Sequence, residues 1–326
     1  MREPKERLRD ILEAIAAIER YAARGRKAFE EDELVQNWMV RHLQIIGEAA
    51  RALPDEVRAR IPGTLDDKIE LNERMNRTLE AIAQALFKSW FVGFDPVRAK
   101  AEGRETGLPP EIDRLFPDSF EDSEIGEIPK GWKVKAIREI LEMNPQRSLR
   151  RGQVAPYVAM DNMPTSSPRP LGWVNRAFTS GMRFMNGDVL VARITPCLEN
   201  GKTAFVDFLA DRQVAWGSTE YIVFRSRPPV PEEYAYFLAR SDDFRSYAIT
   251  NMTGTSGRQR VPVECFESYR VVLPSDDVLV RFGELSKAVL APIRRNDCES
   301  RTLANIRDAL LPKLMSGEVW VKVNEA

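Results

Sequence analysis

One histidine, His42, and three cysteines, Cys197, Cys265 and Cys298, are all that 326 residues offer of the commonest nucleophile, base and metal-ligand types. A lone imidazole leaves no Ser-His or Cys-His pair to activate a nucleophile. Three cysteines far apart form neither a disulfide framework nor a metal cluster, as expected in a reducing cytoplasm. No apolar run approaches the roughly 18 residues that cross a membrane. The opening MREPKERLRD is too charged for a secretion signal. The expected location is therefore cytoplasmic, with no membrane contact. Gly-rich phosphate loops of the P-loop or Rossmann kind are missing. Asn144-Pro145 is followed by Gln146, not by the Pro-aromatic of a base methyltransferase. Glu199 and Glu220 belong to no nuclease or metal pattern. Together these gaps point to a chain that is not itself an enzyme. Charge of one sign is also lacking, since the net is −1. The distribution is uneven, however: between Arg147 and Lys202 eight Lys and Arg face only Asp161, Asp188 and Glu199, a local net of +5.

What the chain does have is one long helical pattern, Leu65 to Trp90, free of Gly and Pro. Leu65, Ile69, Met75, Leu79, Ile82, Leu86 and Trp90 recur at threes and fours, with Asn72 filling one slot. The mean spacing near 3.5 is that of a coiled-coil seam. Asp67, Lys68, Glu70, Glu73, Arg74, Arg77 and Glu80 fall off it and predict a solvated charged surface. A helix this long is marginal alone in water, so it needs a partner. A second pattern supplies one from Asp276 to about Met315, with a seam of Leu285, Val289, Leu303, Ile306, Leu310 and Leu314. Pro292 is expected to kink or divide it. An antiparallel pair buries both seams.

Residues 1–62 read as a helical hairpin ended by Pro54. Phe87, Trp90, Phe91 and Phe94 should close the first long helix with a hydrophobic cluster. Residues 97–131, rich in Pro, Gly and acids, read as a linker or irregular wrap outside any core. Residues 132–275 are mixed. Strands are expected at Gly187–Ile194, Lys202–Leu209, Glu220–Ser226 and Tyr269–Pro274, and a helical pair over Pro231–Ile249. Two polar loops stand out. RITPCLENGK (193–202) gathers Arg193, Thr195, Asn200 and Lys202. TGTSGRQR (253–260) offers Thr255, Ser256, Arg258, Gln259 and Arg260 among glycines. Such side chains suit phosphate contacts and base edges, Arg pairing with guanine and Gln with adenine. An ordinary polar turn is the competing reading.

From about Thr64 onward the chain resembles the second half of a specificity subunit of a Type I restriction–modification enzyme. Six blocks carry the resemblance in order: Leu65–Lys100, IGEIPKGW (125–132), RITPCLENGK, GSTEYIV (217–223), MTGTSGRQRV (252–261) and ESRTLANIRDALLPKLMSGEV (299–319). RLRDILEAI (7–15) and RHLQIIGEAARALP (41–54) resemble the start of a HepT-like toxin of the HEPN superfamily. That family cleaves RNA with an Arg and a His on a following helix, and His42 lies outside such a motif. The toxin-like pattern stops near Gly63, so a catalytically dead remnant or adaptor is expected there.

The resemblance implies an α+β fold. A mixed target-recognition domain is flanked by two long helices in an antiparallel coiled coil and preceded by the hairpin. The boundaries are 1–62 for the hairpin, 63–104 for the spacer helix, 105–275 for the DNA-binding domain and 276–326 for the terminal helix. It adds Ser218 and Thr219 to the DNA-contacting residues. It implies that the chain reads half of a bipartite target in double-stranded DNA and docks methyltransferase subunits through its helices. The chain itself would bind no cofactor; S-adenosylmethionine, ATP and magnesium would be used by the methyltransferase and motor-nuclease subunits. With one recognition domain where the family has two, a homodimer would present a palindromic split target. The alternative is an RNA-cleaving or adaptor module fused to a DNA-binding anchor.

Overall fold

A computed structural model describes residues 65–315 apart from Ser256, with twelve further helical residues between Glu6 and Ile45. Side chains beyond Leu310 are not described, so Leu314 of the expected seam lies outside the described residues, as does most of the expected hairpin over 1–62. His42 is helical and half-buried. The chain divides into two compact units, Arg77–Pro292 and Met1–Asn76 with Ile293–Ala326.

Helix α1 (Leu65–Phe91) starts with Asp66 and Asp67 at its positive end and finishes with Lys88 at its negative end. It stops where the Val92 and Gly93 amides both reach the Lys88 carbonyl, at 3.0 and 2.8 Å, and Phe94 turns left-handed at φ 54°. Its partner is α7 (Asp276–Met315), a single helix that Pro292 does not end. In the unit containing residues up to Asn76 the two run antiparallel. Asp66 pairs with Arg307 at 2.6 Å, Lys68 with Glu299 at 3.2 Å and Asn76 with Asp297 at 2.8 Å, so partners descend as α1 ascends.

The seam differs from the apolar one read from the sequence. Asn72 and Asn76 are the buried residues of this stretch, 1% and 5% exposed, while Met75 is 44% exposed. Asn72 Nδ2 donates to Glu299 at 2.8 Å and to Ser300 Oγ at 3.2 Å. Amides that find partners can be buried at little net cost, which apolar spacing alone does not register. In the unit starting at Arg77 the buried line of α1 is Glu80, Ala83, Phe87 and Trp90. Glu80, expected on the solvated face, is buried, while Ile82 of the expected seam is 55% exposed and Leu79 and Leu86 are half-buried. On α7, Ile306 and Leu310 are buried as their spacing predicts. Leu303, Leu285 and Val289 are half-buried, and Phe282, Ser286 and Leu290 take the inner positions.

The end of α1 is wrapped in aromatic rings, as expected. Phe91 meets Phe282 edge-on at 4.9 Å and Tyr234 at 5.3 Å; Trp90 meets Phe116 at 4.9 Å. The segment expected to be an uninvolved wrap contributes to this core. It forms α2 (Asp95–Ala101), α3 (Pro110–Asp113) and the hairpin β1 (Phe120–Ser123) with β2 (Gly126–Pro129). Val97, Ile112, Phe116 and Ile128 of the segment are buried, as is Trp132 just beyond it.

The remainder of this unit holds two four-stranded sheets and a two-stranded one. The last pairs β3 (Lys133–Ala136) with β12 (Arg270–Leu273). After α4 (Ile137–Ile140), β4 (Leu141–Met143) joins β11 (Tyr221–Ser226), β8 (Asp188–Ala192) and β9 (Thr203–Phe205) in the order β4-β11-β8-β9, all antiparallel. Strands β8 and β11 are near-continuous apolar runs because they are covered on both faces. Helix α5 (Glu232–Arg240) lies on β8, β9 and β11, and α6 (Asp242–Thr250) follows it. Strands β8, β9 and β11 and both helices match the sequence expectation, whereas β4 was not expected. The second sheet does not appear in that expectation. It has the order β6 (Val174–Ala177), β5 (Val154–Val158), β10 (Ala215–Gly217), β7 (Arg183–Phe184), with β5 and β10 parallel. Its strands are two to five residues long, and β5 carries Pro156, so the alternation signal is too short to read.

Phe87→Ala should lower unfolding stability by roughly 3–5 kcal/mol. Ile82→Ala, at an exposed site of the same helix, should change it by less than about 0.5 kcal/mol. Denaturant titration checks both, and equal losses would contradict the burial described.

Candidate nucleic-acid interface

Three of the polar segments converge at one end of β8. Past Ala192, the Arg193 amide donates to the Glu220 carbonyl at 3.0 Å, and the Val261 amide donates to the Arg193 carbonyl at 2.9 Å. The Thr195 amide donates to the Gln259 carbonyl at 3.0 Å, and the Gln259 amide returns to Thr195 Oγ1 at 3.1 Å. Arg193 and Thr195, Ser218 and Thr219, and Thr255 to Arg260 are thereby neighbours. Ser256 lies outside the described residues.

The 253–260 loop closes on itself through two bonds between Thr253 and Arg260, at 2.9 and 2.8 Å. Gly254 sits at φ +119°, and a Cβ there would stand 3.2 Å from the Arg258 carbonyl, so the tight reversal requires glycine. The base of the loop is clamped by charge. Arg260 Nε and Nη2 grip the Glu220 carboxylate at 2.7–2.9 Å. Hydrogen bonding to Arg260 holds the Glu220 carboxyl below its usual range; desolvation opposes this, and the charges of Arg260 and Arg193 add to it. Arg193 Nε is buried without a hydrogen-bond partner among the described residues.

The expected site residues therefore divide into two kinds. Arg260, a candidate base reader by sequence, is engaged by Glu220. Lys202 Nζ donates to the Met160 carbonyl at 2.8 Å and braces the 160–165 segment. Thr195 and Ser218 serve the scaffold, Ser218 Oγ accepting from the Glu220 amide at 3.1 Å. Asn200, Thr219, Thr255 and Arg258 are exposed, and Gln259 is half-buried. Asn200 stands on the turn that follows β8, where its amide donates to the Pro196 carbonyl at 2.9 Å.

Residues that the sequence reading passed over hold these loops in place. Arg240 Nη1 donates to the carbonyls of Thr165 at 2.6 Å and Gly201 at 3.1 Å. Its other arm lies 3.6 Å from Glu80 of α1, and the Tyr236 hydroxyl donates to the same carboxylate. Burial, with Glu80 beside it, pushes the Tyr236 hydroxyl well above its usual range. No residue type marks such a network in advance, because its members lie 156 and 160 positions apart. Among the described residues no group of three His, Cys, Asp or Glu is placed to hold a metal ion, and no helix is long and apolar enough to cross a membrane.

Long helices that run antiparallel accompany a mixed domain with clamped polar loops. The sequence is similar to those of the specificity subunits of Type I restriction enzymes. It is 27% identical to the HindI specificity subunit of Haemophilus influenzae over 78% of this chain and 65% of that protein. It is 23% identical to the MjaIX specificity subunit of Methanocaldococcus jannaschii over 79% of this chain and 56% of that protein. The chain thus spans less than two thirds of the length of these relatives. Among solved structures, the HsdS subunit from Thermoanaerobacter tengcongensis aligns with a TM-score of 0.37 at 16% identity, over 82% of this chain and 60% of that one. The ribonuclease HepT-like family model matches residues 11–85. That match runs past Gly63, where the sequence pattern was expected to stop, and well into α1.

The Glu220–Arg260 clamp should make loop order depend on pH. A depressed carboxyl favours the native state above the usual glutamate range, and that contribution is lost as pH falls through the lowered native value. Hydrogen exchange at the Thr253 and Arg260 amides, corrected for intrinsic rates, should accelerate on acidification through that window. In Glu220→Gln the pH dependence should vanish. A wild-type profile that stays flat there would contradict the clamp.

Proposed function

We propose that this chain is the sequence-recognition component of a Type I restriction–modification assembly and reads one half of a bipartite duplex DNA target. The observation that carries this reading is the convergence of Arg193–Thr195, Ser218–Glu220 and Thr253–Arg260. The Glu220–Arg260 pair holds the loop base, and the loop carries exposed Thr255 and Arg258 with half-buried Gln259. An exposed Arg and an adjacent Gln on a loop with a fixed base suit guanine and adenine edges in the major groove. The similarity to specificity subunits supports the same reading.

In this role the chain is non-catalytic and cytoplasmic, and binds no cofactor. Adenine methylation with S-adenosylmethionine, and ATP- and magnesium-dependent cleavage, belong to the methyltransferase and motor-nuclease subunits. Leu79, Ile82 and Leu86 form an apolar stripe on α1 outside its buried line, with Ile82 largely uncovered. That stripe suits a methyltransferase subunit. Two copies of the chain would complete a palindromic split site.

The HepT-like match supports a second reading, in which the N-terminal region is an RNA-cleaving module. His42 is the sole histidine available to it. RNA cleavage abolished in His42→Ala would establish that module; its absence would leave the region an adaptor.

Selection from randomised duplexes tests the recognition role directly. A target should emerge, and Arg258→Ala should cost roughly 1–3 kcal/mol on it and relax preference at one position. Equal affinity for all sequences would refute recognition. Ile82→Asp should abolish co-purification with the methyltransferase while leaving the thermal melt unchanged; retained co-purification would place docking elsewhere.

A further inference from the structure

The sheet that the sequence did not reveal carries a face that the reading loop does not use. Direct pairing puts Ala155 opposite Arg176, Tyr157 opposite both Val174 and Trp216, and Trp216 opposite Arg183. Paired residues share a face, so Arg176, Tyr157, Trp216 and Arg183 lie on one side. The other side sends Val158, Phe184 and Ala215 into the main core. On the first side the rings and cations form a continuous row. Arg183 lies 5.7 Å over Phe178, and Phe178 meets Trp216 edge-on at 5.3 Å. Arg176 stands 5.1 Å over Tyr157 and 5.9 Å over Trp216.

A turn adds two more cations. The Gly152 amide donates to the Phe178 carbonyl at 2.8 Å, and the Phe178 amide to the Gln153 carbonyl at 2.8 Å. Arg150 and Arg151, both exposed, are held beside Phe178 by these bonds. Among the described residues none of Arg150, Arg151, Arg176 and Arg183 has a carboxylate partner, whereas Arg147, Arg169, Arg225 and Arg260 each do. The sequence from 143 to 187 contains one acid, Asp161. Contact with a ring fixes a guanidinium without neutralising it, and leaves its N–H donors free for a ligand.

We propose that this arginine-lined face is a second contact surface, which grips the phosphate backbone of the DNA whose bases the 253–260 loop reads; it rests on the DNA-recognition reading above. The charge is of the required sign and preorganised, and among the described residues no carboxylate neutralises these four arginines, which suits a sequence-independent hold. Its place in the fold agrees. The Gly217 amide donates to the Met182 carbonyl at 2.9 Å and the Met182 amide to the Ser218 carbonyl at 3.4 Å. The strand of Arg183 is thus bonded directly to the segment that leads into Ser218, Thr219 and Glu220. Gly181 makes the approach possible, since a Cβ there would stand 1.9 Å from the Gly217 carbonyl oxygen.

The test uses the full chain, the duplex recovered from random-pool selection and a scrambled duplex of equal length. Affinities are measured between about 50 and 200 mM salt, where each lost phosphate contact flattens the logarithmic salt slope by roughly 0.9. Arg176→Gln/Arg183→Gln should flatten it by about two and weaken both duplexes by the same factor, leaving the preference between them intact. The salt-induced loss of affinity should shrink roughly tenfold over that range. Arg176→Lys/Arg183→Lys should restore the slope. The turn pair Arg150→Gln/Arg151→Gln, both exposed and neither stacked over a ring, should flatten it as well and guards against a folding defect in the first variant. If the wild type discriminates but both Gln pairs keep its slope and affinity, the face does not touch DNA, and the recognition reading stands without it. If the wild type binds neither duplex, both fall.

Discussion

A carboxylate buried on a long helix is the constraint around which much of the larger unit is arranged. Glu80 is 2% exposed. Unpaired, a buried charge would oppose folding strongly; here the Tyr236 hydroxyl and the Arg240 guanidinium meet it. Arg240 cannot serve Glu80 without also holding the carbonyls of Thr165 and Gly201. This one network thus links α1, α5 and two surface loops. The neighbouring rings of Phe87, Phe91, Tyr234 and Phe282 provide the cohesion. Apolar contact is non-directional, so a polar network is well suited to specifying how that contact is oriented.

The arginines show how one residue type takes several roles through its surroundings. Arg147 is held by Asp188, itself fully buried at the start of β8, and is structural. Arg260 closes a loop through Glu220. Arg176 and Arg183 rest on rings and keep their charge outward. Arg258 is exposed on its loop. In the proposed role these become scaffold, clamp, grip and reader in turn. A local net charge of +5 between Arg147 and Lys202 could be counted in the sequence, but counting did not separate neutralised cations from available ones.

Legibility in the sequence followed segment length and the range of the interaction. Strands β8 and β11 and helices α1, α5, α6 and α7 were readable because each carries its own periodic or continuous apolar signal. Strands β5, β7 and β10 were not, since two to five residues, one of them proline, hold too few alternations. Between Met75 and Leu86 the seam of α1 was read one position off, whereas Asn72 and Trp90 are buried as expected. Spacing marked Met75 and Ile82 beside Asn72; Asn72 is buried as placed, but so are Asn76 and Glu80, which meet partners on α7 and α5. The loops 193–202 and 253–260 were legible as polar and glycine-bearing. That Arg260 is engaged by Glu220, forty residues earlier, was not.

The sequence by itself determined the long helices, the mixed composition of the domain between them, the loops rich in hydrogen-bonding groups and the shortage of catalytic side chains. These are properties of local periodicity and of composition, and they survive without knowledge of neighbours. Only the tertiary structure decided which polar groups are buried and which arginines remain free. It also decided that the segments around 193, 218 and 258 lie side by side. Those outcomes depend on pairings between residues far apart in the chain, and a charge or amide is buried or presented according to the partner that folding brings to it.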